Sequence, residues 1–341
     1  MPSSQVAPKR KFSKLPSPPA AKQMFIKTFK AVCGSGASRH RLFSDWLECA
    51  AIALHQLPYH AQEFEKDEAY HRLEQIYLDR IQPYKLQQLH RFSHLLSITM
   101  LALQEPCCDF LGEIYTELEL AKAHAGQFFT PYPVSRTMAV LCMGDLKAAI
   151  AQQGIVTIEE PAVGSGGCLI ATAQAAYEQH IDPRCSLQMR AVDIDRDCFN
   201  MTYIQLSCLG LQAIVSHGNT LTLETWEARP TMQLSYFWKW MDETGLSRVV
   251  RIYRLMQQAL DLEAPAAAAN PASAPAQSTA CKQPSRKTKK PSRKPELQLS
   301  LTLLEPEDLT SARSPKPQPR SPKLPTDQFQ PAPIAQLSLL P

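Results

Sequence analysis

The sequence predicts an α/β protein, an open and mostly parallel sheet flanked by helices and preceded by an all-helical region. Three observations carry this. Ile155-Val156-Thr157-Ile158 is a β-branched apolar run of the kind that forms a strand buried on both faces. It leads into Gly164-Ser165-Gly166-Gly167 and then Leu169–Tyr177, whose composition and apolar spacing suit a helix. The alternation then repeats, with Leu187–Asp195 as a second strand ending in acid, a helix through Phe199, Tyr203, Ile204, Leu206 and Leu209 to Gly210, and Ala213–His217 as a third strand ending at Gly218-Asn219. Each strand thus delivers its loop to the carboxyl edge, where open α/β sheets bind ligands.

Proline marks out the folded part. Of the 28 prolines, fifteen follow Asp261 and five precede Lys22. Residues 1–23, with Lys9-Arg10-Lys11, are expected to be a disordered basic arm, and 263–341 a disordered Pro/Ala/Lys-rich tail. Residues 24–124 read as a helical N-terminal domain and 125–262 as the α/β domain.

In the helical region, Ser44 is the expected cap of a helix carrying Trp46, Leu47, Ala50, Ile52, Ala53 and Leu54. A second helix holds Phe64, Tyr70, Leu73, Ile76, Tyr77 and Leu78 before Pro83 ends it. A third spans about Lys85–Leu103, and a fourth, from Asp109, carries Phe110, Leu111, Ile114, Tyr115 and Leu118. After a loop, Pro133, Val134, Met138, Val140 and Leu141 begin the helix that leads to the first strand.

Beyond the third strand, Met232–Phe237 alternates apolar and polar residues and is the candidate fourth strand. Three of the four tryptophans fall between Trp226 and Trp240, as core packing or as stacking surfaces for bases. A last helix carries Leu246, Val249, Val250, Tyr253, Leu255, Met256, Leu260 and Leu262.

Composition narrows the function. The net charge of +4 is too small to argue for nucleic acid by itself. Ten cysteines contain no C-x-x-C, and adjacent Cys107-Cys108 suits neither a zinc site nor a disulfide framework, so reduced thiols in a cytoplasmic protein are expected. His55, His60, His71, His90 and His94 lack metal-ligand spacing, and no metal is expected. No apolar run approaches membrane-spanning length. In the tail, Cys281–Lys294 carries seven cations and no acid, either a solvated linker or a phosphate-contacting segment. Leu297, Leu299, Leu301, Leu303 and Leu304 nearly alternate, as a short strand or a docking peptide would.

The glycine turn is the centre of the chemistry. Glycines there allow a ligand close to the backbone, and the following helix offers N–H groups at its start. By itself the turn is equally an ordinary strand-to-helix connection. Asp193 lies 29 positions after Gly164, and a carboxylate at the end of the second strand can accept from both hydroxyls of a ribose.

Four segments in order, Gly126-Gln127-Phe128-Phe129-Thr130-Pro131, Glu160-Pro161-Ala162-Val163-Gly164-Ser165-Gly166-Gly167, Ala191-Val192-Asp193-Ile194-Asp195 and Gly218-Asn219-Thr220-Leu221, carry a resemblance. Their order and spacing resemble the adenine-N6 DNA methyltransferases, above all the modification subunit of type I restriction systems and its phage and plasmid relatives. The resemblance covers about residues 108–221, and loosely the helices before them.

It implies an S-adenosylmethionine-dependent, Rossmann-like methyltransferase domain, truncated after the third strand. It further implies a cofactor site made by Phe129, Thr130, Pro131, Glu160, Gly164, Ser165, Gly166, Asp193 and Asn219. Phe129-Thr130-Pro131 would lie against the methionine end, the glycines would form the floor, Asp193 would hold the ribose, and Asn219 would stand near the adenine. The implied partners are DNA and a separate specificity or completing subunit.

The family's catalytic Asn/Asp-Pro-Pro-aromatic motif is missing. No Pro-Pro follows Pro19, and Asn270-Pro271-Ala272-Ser273 lies in the tail. The catalytic residues are therefore unassigned. Two readings stay open: a short DNA adenine methyltransferase, and a remnant of that family that binds cofactor or DNA without turnover. A nucleotide-dependent enzyme of other chemistry is a weaker third.

Overall fold

A computed structural model describes residues 16–33, 38–104, 108–120 and 128–248. The expected helix Leu246–Leu262, the cationic run Cys281–Lys294 and the Leu297–Leu304 segment fall wholly or largely outside these residues, as do Gly126 and Gln127.

Five helices come first: α1 (Pro18–Cys33), α2 (Arg39–His60), α3 (Glu68–Ile81), α4 (Leu86–Ala102) and α5 (Phe110–Glu117). Helix α1 begins inside the stretch expected to be a disordered arm. Pro18 and Pro19 occupy its first turn, where a missing N–H costs nothing, and Ala21, Phe25, Phe29 and Val32 bury one face. Ser38, and not Ser44, caps α2, accepting from the Arg41 N–H at 3.4 Å. Leu42 and Phe43 are buried, so packing carries the helix back a turn before Ser44. Phe64 precedes α3, which starts behind the Asp67 cap (Tyr70 N–H to Oδ1, 2.8 Å). The expected cap Asp109 does open α5, accepting from the Gly112 N–H at 3.1 Å.

The α/β part follows: α6 (Tyr132–Met143), α7 (Leu146–Gln153), β1 (Val156–Glu160), α8 (Gly167–Glu178), α9 (Pro183–Ser186), β2 (Leu187–Asp193), α10 (Arg196–Cys208), β3 (Gln212–Asn219), β4 (Glu224–Pro230) and α11 (Met232–Glu243). The sheet order is β1-β2-β3-β4; the first three strands are parallel, with Ile158 opposite Met189 and Met189 opposite Ala213. The anticipated helical region and three-stranded α/β core are both present.

One hydrophobic core joins them. Phe25, Trp46, Phe110 and Leu111 from the helices share it with Ile170, Met189, Phe199 and Val215. Helix α10 is the bridge. It packs on β2 and β3 and also on α2 and α5, and polar side chains this buries, Asn200 and Gln205 among them, are hydrogen-bonded to neighbouring elements.

The fourth strand is a correction. Met232–Phe237 is the start of helix α11, and the strand is Glu224–Pro230, antiparallel to β3. Six alternating residues cannot distinguish strand from helix. Thr231 decides the boundary: its Oγ1 donates to the Leu211 carbonyl at 2.7 Å and accepts from the Ala213 N–H at 3.0 Å, while its carbonyl accepts from the Ser235 N–H. The true strand was hidden by its charges. Arg229 is buried and Glu227 half-buried because they join Glu48 of α2 and Arg196 of α10 in an ion cluster. Arg196 grips Glu48 through two bonds of 2.6 and 2.8 Å, and Asn200 Nδ2 adds a third at 3.0 Å. Burial opposes the charge on Glu48, yet the Arg196 and Arg229 guanidiniums hold its carboxyl down at about 2.

Residues from Trp238 belong to a second compact unit, described only through Arg248; there Thr244 Oγ1 donates to the Trp240 carbonyl at 2.8 Å. Among the described residues no helix is long and apolar enough to cross a membrane, and no group of three or more His, Cys, Asp or Glu could hold a metal ion.

Candidate functional site

The glycine turn between β1 and α8 is held from several sides. Its left-handed residues are Gly164 (φ +59°) and Gly166 (φ +99°), conformations that cost other residues about 1–2 kcal/mol. The Gly164 N–H donates to Asp193 Oδ2 at 2.8 Å, and the Gly164 carbonyl accepts from Thr202 Oγ1 at 3.0 Å. The Val163 N–H reaches the Val192 carbonyl at 3.0 Å, so turn and second strand end move together.

Phe129 closes the other side. A Cβ on Gly164 would stand 3.1 Å from its ring, and the ring lies 5.2 Å from that of Tyr115. The aromatic loop is thus against the glycines, and Asp193 is directed at them. Thr130 and Pro131 are exposed, and the Pro131 carbonyl starts α6 by accepting from Val134 and Ser135. Glu160 is half-buried, and its Oε1 accepts from the Ala162 N–H at 3.3 Å.

Asp193 is half-buried. Its second oxygen accepts from the Asp195 N–H at 2.8 Å, so each oxygen has a main-chain donor. Burial raises its pKa above the ordinary carboxylate value, against these hydrogen bonds. Asn219 ends β3; its Oδ1 accepts from Leu221 (3.0 Å) and Thr222 (3.4 Å) and reverses the chain into β4. Next to it, Thr220 Oγ1 donates to the Pro161 carbonyl at 2.6 Å, tying the third strand end to the turn.

Ser165 faces inward. It is buried, and its hydroxyl donates to Asp109 Oδ2 at 2.5 Å. Asp109 Oδ1 accepts from Gln205 Nε2 at 2.8 Å, and the same amide group donates to the Ser165 carbonyl at 2.7 Å. Gln205 Oε1 accepts from the Leu111 N–H at 3.0 Å, completing a buried knot of α5, the turn and α10. Sequence reasoning took Asp109 as a helix start, passed over Thr202 and Gln205, and gave Thr220 no role of its own. An Asp three residues before a glycine signals the cap, but its reach to Ser165 across 56 residues has no local signature.

Helix α8 is preceded at its cap position by Gly166, which has no side chain with which to cap it. The N–H groups of its first turn follow directly on the two left-handed glycines, and the half-buried carboxylate of Asp193 reaches them from β2 through the Gly164 N–H. This donor and acceptor set fits an adenosyl amino acid: helix N–H groups for a carboxylate, a carboxylate for ribose hydroxyls, and an aromatic wall at Phe129.

Residues 108–237 match the family model described as N-6 DNA methylase. No curated protein matches the chain. Among solved structures, a protein described as a class I S-adenosylmethionine-dependent methyltransferase from Listeria monocytogenes aligns with 13% identity and a TM-score of 0.29, over 57% of this chain and 51% of that one. The type I restriction-modification system methyltransferase subunit from Streptococcus thermophilus aligns with 13% identity and a TM-score of 0.28, over 56% and 55%. The chain therefore spans about half the length of these structures. The segment 108–237, which contains the turn, Asp193 and Asn219, is the part of the chain that is similar to the N-6 DNA methylase family.

Proposed function

We propose that the protein binds S-adenosylmethionine at the Gly164–Gly167 turn and acts as a DNA methyltransferase on adenine N6. The observation that supports this best is the convergence of Phe129 and Asp193 on Gly164, at the start of a helix without a side-chain cap. In this reading Gly164, Ser165 and Gly166 give the floor. Asp193 accepts from the ribose, Asn219 offers its Nδ2 to the adenine, and Glu160 and Phe129-Thr130-Pro131 line the methionine side.

The cofactor would supply an activated methyl group on a sulfonium that leaves readily. The chain's residues contribute positioning: the turn fixes the amino-acid end, Asp193 fixes the nucleoside, and Phe129 keeps water off one wall. The target adenine would be taken out of the duplex to reach this edge. A cytoplasmic location and a separate subunit for specificity go with this reading.

A second reading rests on one sequence observation. No Asn/Asp-Pro-Pro-aromatic segment exists in the chain, and β4 returns antiparallel beside β3. A partner chain then supplies the base-holding loop, or the protein binds cofactor without turnover. Transfer of a tritiated methyl group to unmethylated DNA, measured beside cofactor binding, separates these. Label in DNA supports the enzyme, binding without label supports the remnant, and no binding removes both.

A further inference from the structure

Among the described residues, Asp109 is a buried carboxylate with no cation beside it. The groups directly on it are neutral donors: the Ser165 hydroxyl, the Gln205 amide and the Gly112 N–H. The titratable groups that face it are Glu113 further along α5 and the Cys168 thiol of α8. A Cβ on Gly167, the first residue of α8, would lie 3.0 Å from Asp109 Oδ2, so the carboxylate stands directly behind the start of that helix. A Cβ on Gly112 would come within 2.2 Å of the same oxygen, so the chain leaves room for this carboxylate on two sides.

Burying an ionisable acid without a counter-charge costs stability, and burial indeed raises its pKa. Asparagine would fill the same space at lower cost. Capping α5 does not require the charge either, since Asn caps helices as well as Asp does. What the charge changes is the electrostatic potential on the far side of a thin backbone turn, in a setting poorly screened by water.

We propose that Asp109 is a positioning residue for the cofactor site: it holds the glycine turn through Ser165 and Gln205, and its charge behind the turn favours the cationic S-adenosylmethionine over the uncharged-sulfur S-adenosylhomocysteine. This rests on the cofactor reading above. The two ligands share adenosine and amino acid and differ in the methyl group and the sulfonium charge. A group acting through shape alone weakens both together, whereas one acting through charge changes their ratio. The consequence is that product binds less tightly than substrate at the same turn.

The test is calorimetric titration of the full chain, wild type and Asp109→Asn, with each ligand at one pH, alongside thermal unfolding. Expected is a fall of about tenfold in the preference for S-adenosylmethionine, as for loss of one charge interaction in a low-dielectric site, with an unfolding temperature unchanged or raised. Equal changes for both ligands, or none, overturn the proposal while leaving the cofactor reading intact. If the wild type binds neither ligand, the cofactor reading fails and this inference with it. Should Asp109→Asn not fold, Asp109→Ser, which keeps a helix-capping side chain and removes the charge, is titrated in its place, and an unchanged ligand ratio overturns the proposal.

Discussion

The Gly164 amide and the Asp193 carboxylate meet at 2.8 Å, joining the turn after β1 to the end of β2. One side chain therefore does two jobs in the proposed site: it fixes the glycine that the ligand rests on and offers acceptors to the ligand itself.

Those jobs can be separated. Asp193→Ala is expected to weaken S-adenosylmethionine binding by about 10- to 100-fold, the loss of one or two hydrogen bonds to a charged acceptor. If the ribose contact is real, wild type prefers adenosine to 2′,3′-dideoxyadenosine and the variant does not. Titration calorimetry with both nucleosides checks this; an equal preference in both proteins removes the ribose role and leaves only the turn.

Gly166→Ala tests the shape of the turn. Its φ of +99° strains any Cβ, and that Cβ would press on Thr202 Oγ1 at 3.3 Å, the group that holds the Gly164 carbonyl. A loss of about 1–2 kcal/mol of stability is expected, read from the urea midpoint at unchanged m-value. Binding should fall with it, since Thr202 is displaced.

The ion cluster under β4 predicts acid sensitivity. Glu48 sits at about 2, below its usual 4.5, so its ionised form is favoured in the folded protein. The stability it gives is present above pH 4.5 and is lost as pH falls toward 2. Glu48→Gln leaves Arg196 and Arg229 without that partner and should cost about 3–5 kcal/mol at pH 7. The variant's remaining stability should be flatter between those pH values; parallel pH curves for wild type and variant would contradict this.

Thr231→Val tests the boundary between β4 and α11. The swap keeps the volume but strips the Leu211 carbonyl and the Ala213 N–H of their common partner. About 1–3 kcal/mol of destabilisation is expected from urea unfolding.

Much of the site was legible because its signals are local. Glycines at left-handed positions, a strand ending in Asp193 and a helix starting after Gly167 are each fixed by a few neighbouring residues. The Phe129 loop and Asp193 were expected near the glycines, and the fold brings them there. The roles of Ser165 and Asp109 were not legible. Ser165 read as pocket floor, and the structure turns its hydroxyl into the interior because Asp109 waits there. The N-terminal boundary was misread because Pro18-Pro19 signals disorder in a tail and a first turn in a helix, and only the buried face of α1 distinguishes them.

The sequence by itself determined the helical region, the three parallel strands, the glycine turn and the carboxylate that answers it, because periodicity, turn chemistry and strand composition act over a few residues. Only the tertiary structure decided that Glu224–Pro230 is a strand, that Met232 starts a helix, and that Asp109 stands behind the turn. Those outcomes depend on charges neutralised and hydrogen bonds made between residues far apart in the chain: Glu48 with Arg229, Thr231 with Leu211, Asp109 with Ser165. A charged segment joins the sheet as a strand only when its partners arrive from elsewhere, and no local pattern records that arrival.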